Sequence, residues 1–502
     1  MEINSRPSRR RPRLAILHSE QYIPQVMPKI LGTRDLTSTY IIAVFFIVNA
    51  ATAAQAGAGA FTYLFIGAIA FFLPSALATA QLGRMFPHEG SLYNWTHKAF
   101  GGYWSFFIGV GAWFPGVLVM IAGSDAVITL LQSFNNTWLV EPWQQGLVIV
   151  FLLILSCVIS IQRTRVVQNL VNMGALLIML AVVILAVATL VWYQTGHASM
   201  TNWSDLTAWQ VHWSGEHANI NLFGLITLAY LGTEVPLNMG GEMKGKLPAS
   251  RHIFWGTLLT LIGYSVATFA LLSIRGGGSA ITPVDLITLV DMTLGKFWGN
   301  IFSVFVILFF VIVPVVYNSS FARLVLAAGV DKRLPRLVAL LNKGRAPANA
   351  IIIQTILASM LSIVIFCIAP YVVVIDLTSA NLTIAVYNVA QASATLVWAI
   401  STAFLFINLI VFYVKDRDWL FRQLVVPRFL LFLSVIVGPP ACLLAIVDTL
   451  FYSWTAVIPN VTWGMIVGGV TAGCLLVSGI TSLIANSEAV WEGVLTTEDT
   501  NG

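Results

Sequence analysis

The stretch A-Y-L-G-T-E-V-P-L-N-M-G-G-E, Ala229 to Glu242, sits inside a long apolar run. It nevertheless carries a carboxylate (Glu234), a proline (Pro236), an asparagine (Asn238) and three glycines (Gly232, Gly240, Gly241). Counted from about Asn219 at ~1.5 Å per helical residue, Glu234 lies roughly 22 Å into that run. An ionised carboxylate at such a depth in lipid costs about 2.5–3.5 kcal/mol on insertion scales. Pro236 has no N–H, so the carbonyl of Gly232 loses its helical partner. The helix is expected to open between about Gly232 and Leu237. Unpaired backbone at that depth is tolerated only where it is buried in protein or lines a wet cavity. A kinked packing helix is the plainer alternative. A carboxylate, a proline and several glycines together favour a binding site.

That a membrane is involved follows from composition. Of 502 residues, 58% are hydrophobic and only 9% charged, against about 25% charged in soluble domains. A spanning helix takes about 20 apolar residues, and about twelve such runs can be counted. They lie near 36–56, 60–83, 102–132, 143–161, 166–194, 219–241, 253–275, 297–329, 349–369, 384–414, 428–448 and 461–485. The runs are continuous rather than alternating, which argues for helices and against barrel strands.

Basic residues set the orientation. All but Arg275 and Lys296 of the 26 lysines and arginines fall on one side of this arrangement. The positive-inside rule then places both termini in the cytoplasm of a multi-pass protein of the cell (plasma) membrane. Residues 1–35 read as a basic tail that sets topology, and 486–502 as a short cytoplasmic tail. The net charge of +5 therefore carries no implication of nucleic-acid binding. Cys157, Cys367, Cys442 and Cys474 all fall within expected helices and imply neither disulfides nor a metal site. No phosphate-cradling loop or nucleophile–base order is evident. No enzyme activity and no cofactor is expected.

A second irregular stretch is F-F-I-V-N-A-T-A-A-Q-A-G-A-G-A, Phe45 to Ala60. One interruption falls in the first span and the other in the sixth. Two five-helix blocks that each open on an interrupted helix are the pattern of inverted repeats. The expected organisation is a first repeat over 36–200, a second over 219–414 and two further helices over 428–485.

Several stretches resemble the amino acid–polyamine–organocation transporter family. Ala78–Gly101 (A-T-A-Q-L-G-R-M-F-P-H-E-G-S-L-Y-N-W-T-H-K-A-F-G) is similar to the family's second helix and following loop. Asn318–Ile351 is similar to the end of its eighth helix, with A-R-L-V-L-A-A-G-V-D-K-R-L-P at its centre and P-A-N-A before the next span. Gly232-Thr233-Glu234 resembles its sixth-helix G-x-E. The usual first-helix glycine motif is missing. Asn49 and Gly57, with Pro74, resemble the glutamate:γ-aminobutyrate antiporters instead, although Val48 and Ala51 replace that subgroup's flanking Arg and Pro. Gln81 and Ser91 also depart from the pattern, and Ala175 stands where some proton-coupled members have lysine.

The resemblance implies an all-α polytopic fold, a LeuT-like 5+5 inverted-repeat core with helices 1 and 6 broken, and two C-terminal helices. It implies a secondary active transporter that moves an amino acid or related amine by alternating access, as an exchanger or a proton-coupled symporter. A non-transporting sensor of the same fold is the alternative. The substrate would lie between helices 1 and 6. Helix N-termini offer amides to a carboxylate, here from Asn49, Ala50, Ala51 and Thr52. Carbonyls of Tyr230, Leu231 and Gly232 would take the ammonium. Glu234 is assigned to coupling or gating, with capping of the broken end and direct ligation as alternatives. Trp113, Tyr317 and Asn318, with Tyr387, Asn388 and Gln391, are candidates for side-chain selectivity, against a plainer role in helix packing. The expected partners are a small amino acid or amine, the lipid bilayer and protons.

Overall fold

The computed structural model describes residues 16–135, 137–211, 220–278, 281–372, 379–455 and 458–498, without side chains for 379–387 and 487–498. Its elements are helical, as they must be when lipid offers the backbone no hydrogen-bond partner. In chain order they are α1 (His18–Val26), α2 (Thr33–Val44), α3 (Asn49–Ala54), α4 (Gly59–Gly67), α5 (Leu73–Met85), α6 (Ser91–Phe100), α7 (Gly102–Gln132), α8 (Pro142–Ser160), α9 (Thr164–Gln194) and α10 (Leu222–Ala229). They continue as α11 (Pro248–Ile274), α12 (Asp285–Leu294), α13 (Lys296–Val330), α14 (Ala348–Ser362), α15 (Ala369–Val372), α16 (Ser379–Lys415), α17 (Arg417–Arg422), α18 (Arg428–Phe451) and α19 (Asn460–Glu498). Single π-turns join α4 to α5 and α14 to α15.

Among the described residues, 10 helices are long and apolar enough to cross a membrane. Their outer faces bear this out physically. Leu147, Phe151, Ile154 and Val158 form one exposed apolar stripe on α8, and Leu476, Ile480 and Leu483 another on α19. Stripes of this size on a soluble protein would drive association, whereas lipid solvates them. The protein is an all-helical, multi-pass membrane protein.

The stretches read as the first and sixth spans are not among those 10, because neither is one continuous helix. α2 stops after 12 residues, and α3 starts only at Asn49. Nothing in Phe45–Val48 is a helix breaker by composition. Tertiary contacts hold it open instead. The Tyr317 hydroxyl donates to the Ala43 carbonyl at 2.6 Å, and the Tyr264 hydroxyl lies 3.0 Å from the Val44 carbonyl. The Phe46 amide donates to Tyr264 at 3.1 Å. Two phenols thus replace the partners that continued helix would supply. The glycine at position 57 acts differently, since with φ +59° it turns the chain from α3 into α4.

α10 has 8 residues and ends at Ala229, so the opening begins at Tyr230, earlier than the expected Gly232. Gly232 has φ +99°, a conformation that a Cβ disfavours. A Cβ there would also lie 3.4 Å from the Ala43 carbonyl and the Trp398 ring. The backbone conformation, more than the space, therefore calls for glycine where the second interruption passes the first. Beyond it the chain forms 3₁₀ turns over Val235–Asn238 and Gly240–Glu242 rather than a second α-helix. The expectation for the Gly232 carbonyl is corrected: it accepts from Val235 at 3.1 Å.

The termini also differ from expectation. Residues 1–15 lie outside the described residues. From His18 the chain forms α1 and docks. The Ser19 amide and hydroxyl both donate to Asp331 at 2.8 Å, and Lys98 pairs with Glu20 at 2.7 Å. Leu31 then exchanges backbone bonds with Glu242 and Lys244. At the other end α19 continues to Glu498.

Candidate functional site

The two interruptions face each other across a cavity of about 250 Å³. Its wall includes Val44, Phe46, Val48, Asn49 and Thr52 from the first interruption and Leu231 from the second. One face of α7 and Asn388, Gln391 and Trp398 of α16 complete it, with Tyr317, Pro283 and Trp454. The α7 face reads Val119, Ala122, Asp125, Ala126 and Thr129, the spacing by which a helix presents one side.

Of the residues singled out from the sequence, Asn49, Thr52, Leu231, Tyr317, Asn388 and Gln391 line this cavity. Ala50, Ala51, Trp113, Tyr230, Gly232, Glu234 and Asn318 are not part of its lining. Ala50 and Ala51 are buried away from it. The amides of Asn49, Ala50 and Ala51 donate to Phe46, Ile47 and Val48 at 2.9, 3.0 and 3.1 Å. They are consumed by a tight turn, so the expectation that these three receive a carboxylate is corrected. Within Phe45–Val48 it is the amides of Ile47 and Val48 that have no partner among the described residues. On the facing side the carbonyls of Tyr230 and Leu231 accept no bond among those residues, whereas that of Gly232 does. The Tyr230 ring points away and stacks on Phe72 at 4.6 Å.

Trp113 and Asn318 belong to a separate polar network. Trp113 donates to Gln354 Oε1 at 2.8 Å, and Gln354 Nε2 donates to Asn318 at 3.1 Å. Asn318 in turn donates to Thr355 at 2.8 Å. Glu234 is 1% exposed and lies behind Trp398, whose indole N–H donates to its Oε1 at 2.7 Å. Its Oε2 has no partner among the described residues. The Tyr387 side chain lies outside them.

Three participants escape the sequence reading. Tyr264 holds both interruptions, since its hydroxyl also lies 3.2 Å from the Ala229 carbonyl. Trp398 forms the wall between cavity and Glu234. Asp125 contributes a half-buried carboxylate to the cavity. Tyr264 and Trp398 carry no local signal in apolar helices. Asp125 does, because an acid inside an apolar run is costly and is retained where function needs it.

Toward the side bearing the basic loops, the chain is closed by buried charge. Arg323 donates to Glu242 at 2.8 Å and to the Ser319 carbonyl at 2.8 Å. Glu89 lies in the loop between α5 and α6, 2% exposed, with neither carboxylate oxygen partnered among the described residues. Burial, and then the Glu242 carboxylate, push its pKa up to about 8, partly offset by nearby amides and Arg323.

Comparison with known proteins agrees with this architecture. Residues 31–488 match the model of the amino acid permease family. An uncharacterized transporter of Legionella pneumophila is 24% identical over 387 residues, covering 73% of this chain and 80% of its own. The lysine-specific permease LysP of Escherichia coli is 23% identical, over 63% of this chain and 66% of its own. The serine/threonine exchanger SteT of Bacillus subtilis is 28% identical, over 47% and 52%. With nine-tenths of its length matched, and with interrupted helices meeting at an internal cavity, the chain belongs to the amino acid permease family.

Proposed function

We propose that the protein is a secondary active transporter that carries an amino acid or related amine across the cell membrane by alternating access. The observation that carries this reading is the cavity between two facing chain interruptions. In its lining, Val48 has a free amide on one side and Leu231 a free carbonyl on the other, with the free Ile47 amide and Tyr230 carbonyl next to them in the chain. Free amides suit a carboxylate and free carbonyls an ammonium. In this reading α2–α3 and Leu222–Glu242 are the broken first and sixth spans of a twelve-span core. Residues 36–200 and 219–414 form its inverted repeats, with both termini cytoplasmic.

The two sides of the cavity differ as alternating access requires. Pro283 and Trp454 line it toward one face. Toward the basic face, Glu242–Arg323, the Glu89 loop and α1 close the path. Such a state opens outward when the basic face is cytoplasmic. Exchange and proton symport both fit this cycle. Placement beside the glutamate:γ-aminobutyrate antiporters rests on Asn49, Gly57 and Pro74 alone, and an anionic substrate would meet Asp125. The test is counterflow in liposomes containing the purified protein, with a panel of labelled amino acids and amines. Exchange of at least one of them supports the reading. Silence across the panel, with specific binding retained, replaces it with a sensor.

A further inference from the structure

Asp125 raises a question of charge. It is the one charged side chain among the described residues that line the cavity. Its carboxylate makes no hydrogen bond or ion pair among those residues. No lysine, arginine or histidine shares that lining. Two buried acids outside it add no positive charge. Glu234 lies behind Trp398, and Asp448 accepts the Gly224 amide at the start of α10 at 2.6 Å.

Consider what the chain interruptions satisfy. The free Val48 amide and the free Leu231 carbonyl in the cavity lining suit the two charges of a zwitterion, which is neutral as a whole. A neutral amino acid bound there leaves Asp125 without a counter-charge, since the polar side chains of the wall, Asn49, Thr52, Thr129, Asn388 and Gln391, are all neutral. A carboxylate desolvated without a counter-charge is disfavoured. A second ammonium on the substrate removes the deficit. The same lining suits such a group, for it holds Ala122 and Ala126 on the Asp125 face of α7, the apolar Leu228 that a methylene stem can lie against, and the aromatic ring of Trp454.

We propose that Asp125 selects a substrate with a distal alkylammonium group, so that the cargo is a cationic amino acid or a diamine. This inference rests on the transporter reading. The experiment is counterflow and competition with the full-length protein in liposomes, run separately with labelled lysine, 1,4-diaminobutane, leucine and serine. The expected result is that lysine or the diamine exchanges and that leucine and serine compete on the order of tenfold or more less well. Lysine against the diamine tells whether the zwitterionic end is also required. Asp125→Asn should raise the KM for the cation on the order of 10- to 100-fold. It should narrow the gap to leucine, and Asp125→Glu should recover part of the loss. Monodispersity on size exclusion shows that the variants are folded, and the wild-type competition profile decides the matter without them. Leucine or serine exchanging as well as lysine overturns the inference while the transporter reading stands. So does Asp125→Asn that keeps its preference for cations and loses only its dependence on a pH gradient, which would make Asp125 a proton carrier. Absence of exchange with every probe removes the transporter reading and this inference with it.

Discussion

The Tyr264 hydroxyl lies 3.0 Å from the Val44 carbonyl and 3.2 Å from the Ala229 carbonyl, the last helical residues before the two interruptions. One phenol of α11 therefore ties both broken ends together. It also accepts the Phe46 amide at 3.1 Å. Tyr264→Phe keeps the ring and its 4.8 Å edge contact with Phe45, so the change isolates the oxygen. A buried polar group left unpaired costs about 1–3 kcal/mol. Thermal unfolding in detergent should show a loss of that size. Counterflow should fall more steeply than stability, because the amides and carbonyls that face the cavity lose their alignment.

Gly232 gives a second, independent probe. Its φ of +99° is the constraint, since an added Cβ would meet the Ala43 carbonyl only at an ordinary 3.4 Å. Gly232→Ala adds a Cβ that disfavours left-handed backbone by about 1–2 kcal/mol. It should lower the unfolding midpoint modestly. Because the strained backbone lies next to the cavity-lining Leu231, substrate KM should rise. Unchanged KM with lowered stability would confine Gly232 to a structural role.

The two interruptions differ in how legible they are in the sequence. The second is written locally, since Gly232 and Pro236 each disfavour helix, and only its start is displaced to Tyr230. The first has no breaker where the helix stops. Phe45–Val48 is aromatic and aliphatic, and its non-helical path is imposed by Tyr264 and Tyr317 from distant helices. The polar residues Asn49, Thr52 and Gln55 mark the neighbourhood but not the break. For the same reason the free amides lie at Ile47 and Val48, ahead of the tight turn that consumes those of Asn49, Ala50 and Ala51. Side-chain direction was the least legible feature. Trp113, Tyr230 and Asn318 are on the expected helices, yet face Gln354, Phe72 and Thr355. Docking of α1 is not readable because its partners are remote in the chain, Lys98 78 positions from Glu20 and Asp331 312 from Ser19.

Trp398 separates Glu234 from the cavity and donates to it at 2.7 Å. Glu234→Gln keeps an acceptor for the indole, so stability should change by less than about 1 kcal/mol. Trp398→Phe removes the donor and leaves both oxygens of Glu234 unpartnered, at about 1–3 kcal/mol. If Glu234 serves coupling or gating, Glu234→Gln should lower the rate of exchange while substrate binding is retained. Unchanged rate and unchanged pH dependence would leave Glu234 as a structural acceptor only.

Ser19 anchors α1 to the end of α13 through Asp331, with two bonds of 2.8 Å. Tyr93 donates to the same carboxylate at 3.0 Å. Ser19→Ala removes one bond and should cost about 1 kcal/mol. Truncation of residues 1–27 removes both and uncovers Asp331, so its loss should be larger. Since α1 belongs to the closure of the basic face, truncation should also raise the accessibility of a cysteine placed at Ser320 to a water-soluble thiol reagent. Equal labelling of both proteins would show that α1 adds stability without holding the path shut.

Glu89 predicts a pH dependence of the same closure. Its pKa of about 8 in the closed state exceeds its ordinary value of 4.5, first because it is buried and then because Glu242 lies near. Below about pH 4.5 the carboxyl is protonated in both the folded and the unfolded chain, and the folded form has its full stability. Between about 4.5 and 8 only the unfolded chain gives up its proton, so stability falls as pH rises. Above about 8 both forms are ionised and the curve levels. The unfolding midpoint in detergent should therefore decline from pH 5 to pH 8 relative to Glu89→Gln, whose amide cannot ionise. Glu242→Gln should weaken the shift by removing the neighbouring charge, although it also leaves Arg323 without its carboxylate. Parallel curves for wild type and Glu89→Gln across that range would show that the Glu89 carboxylate finds solvation or a partner in the closed state.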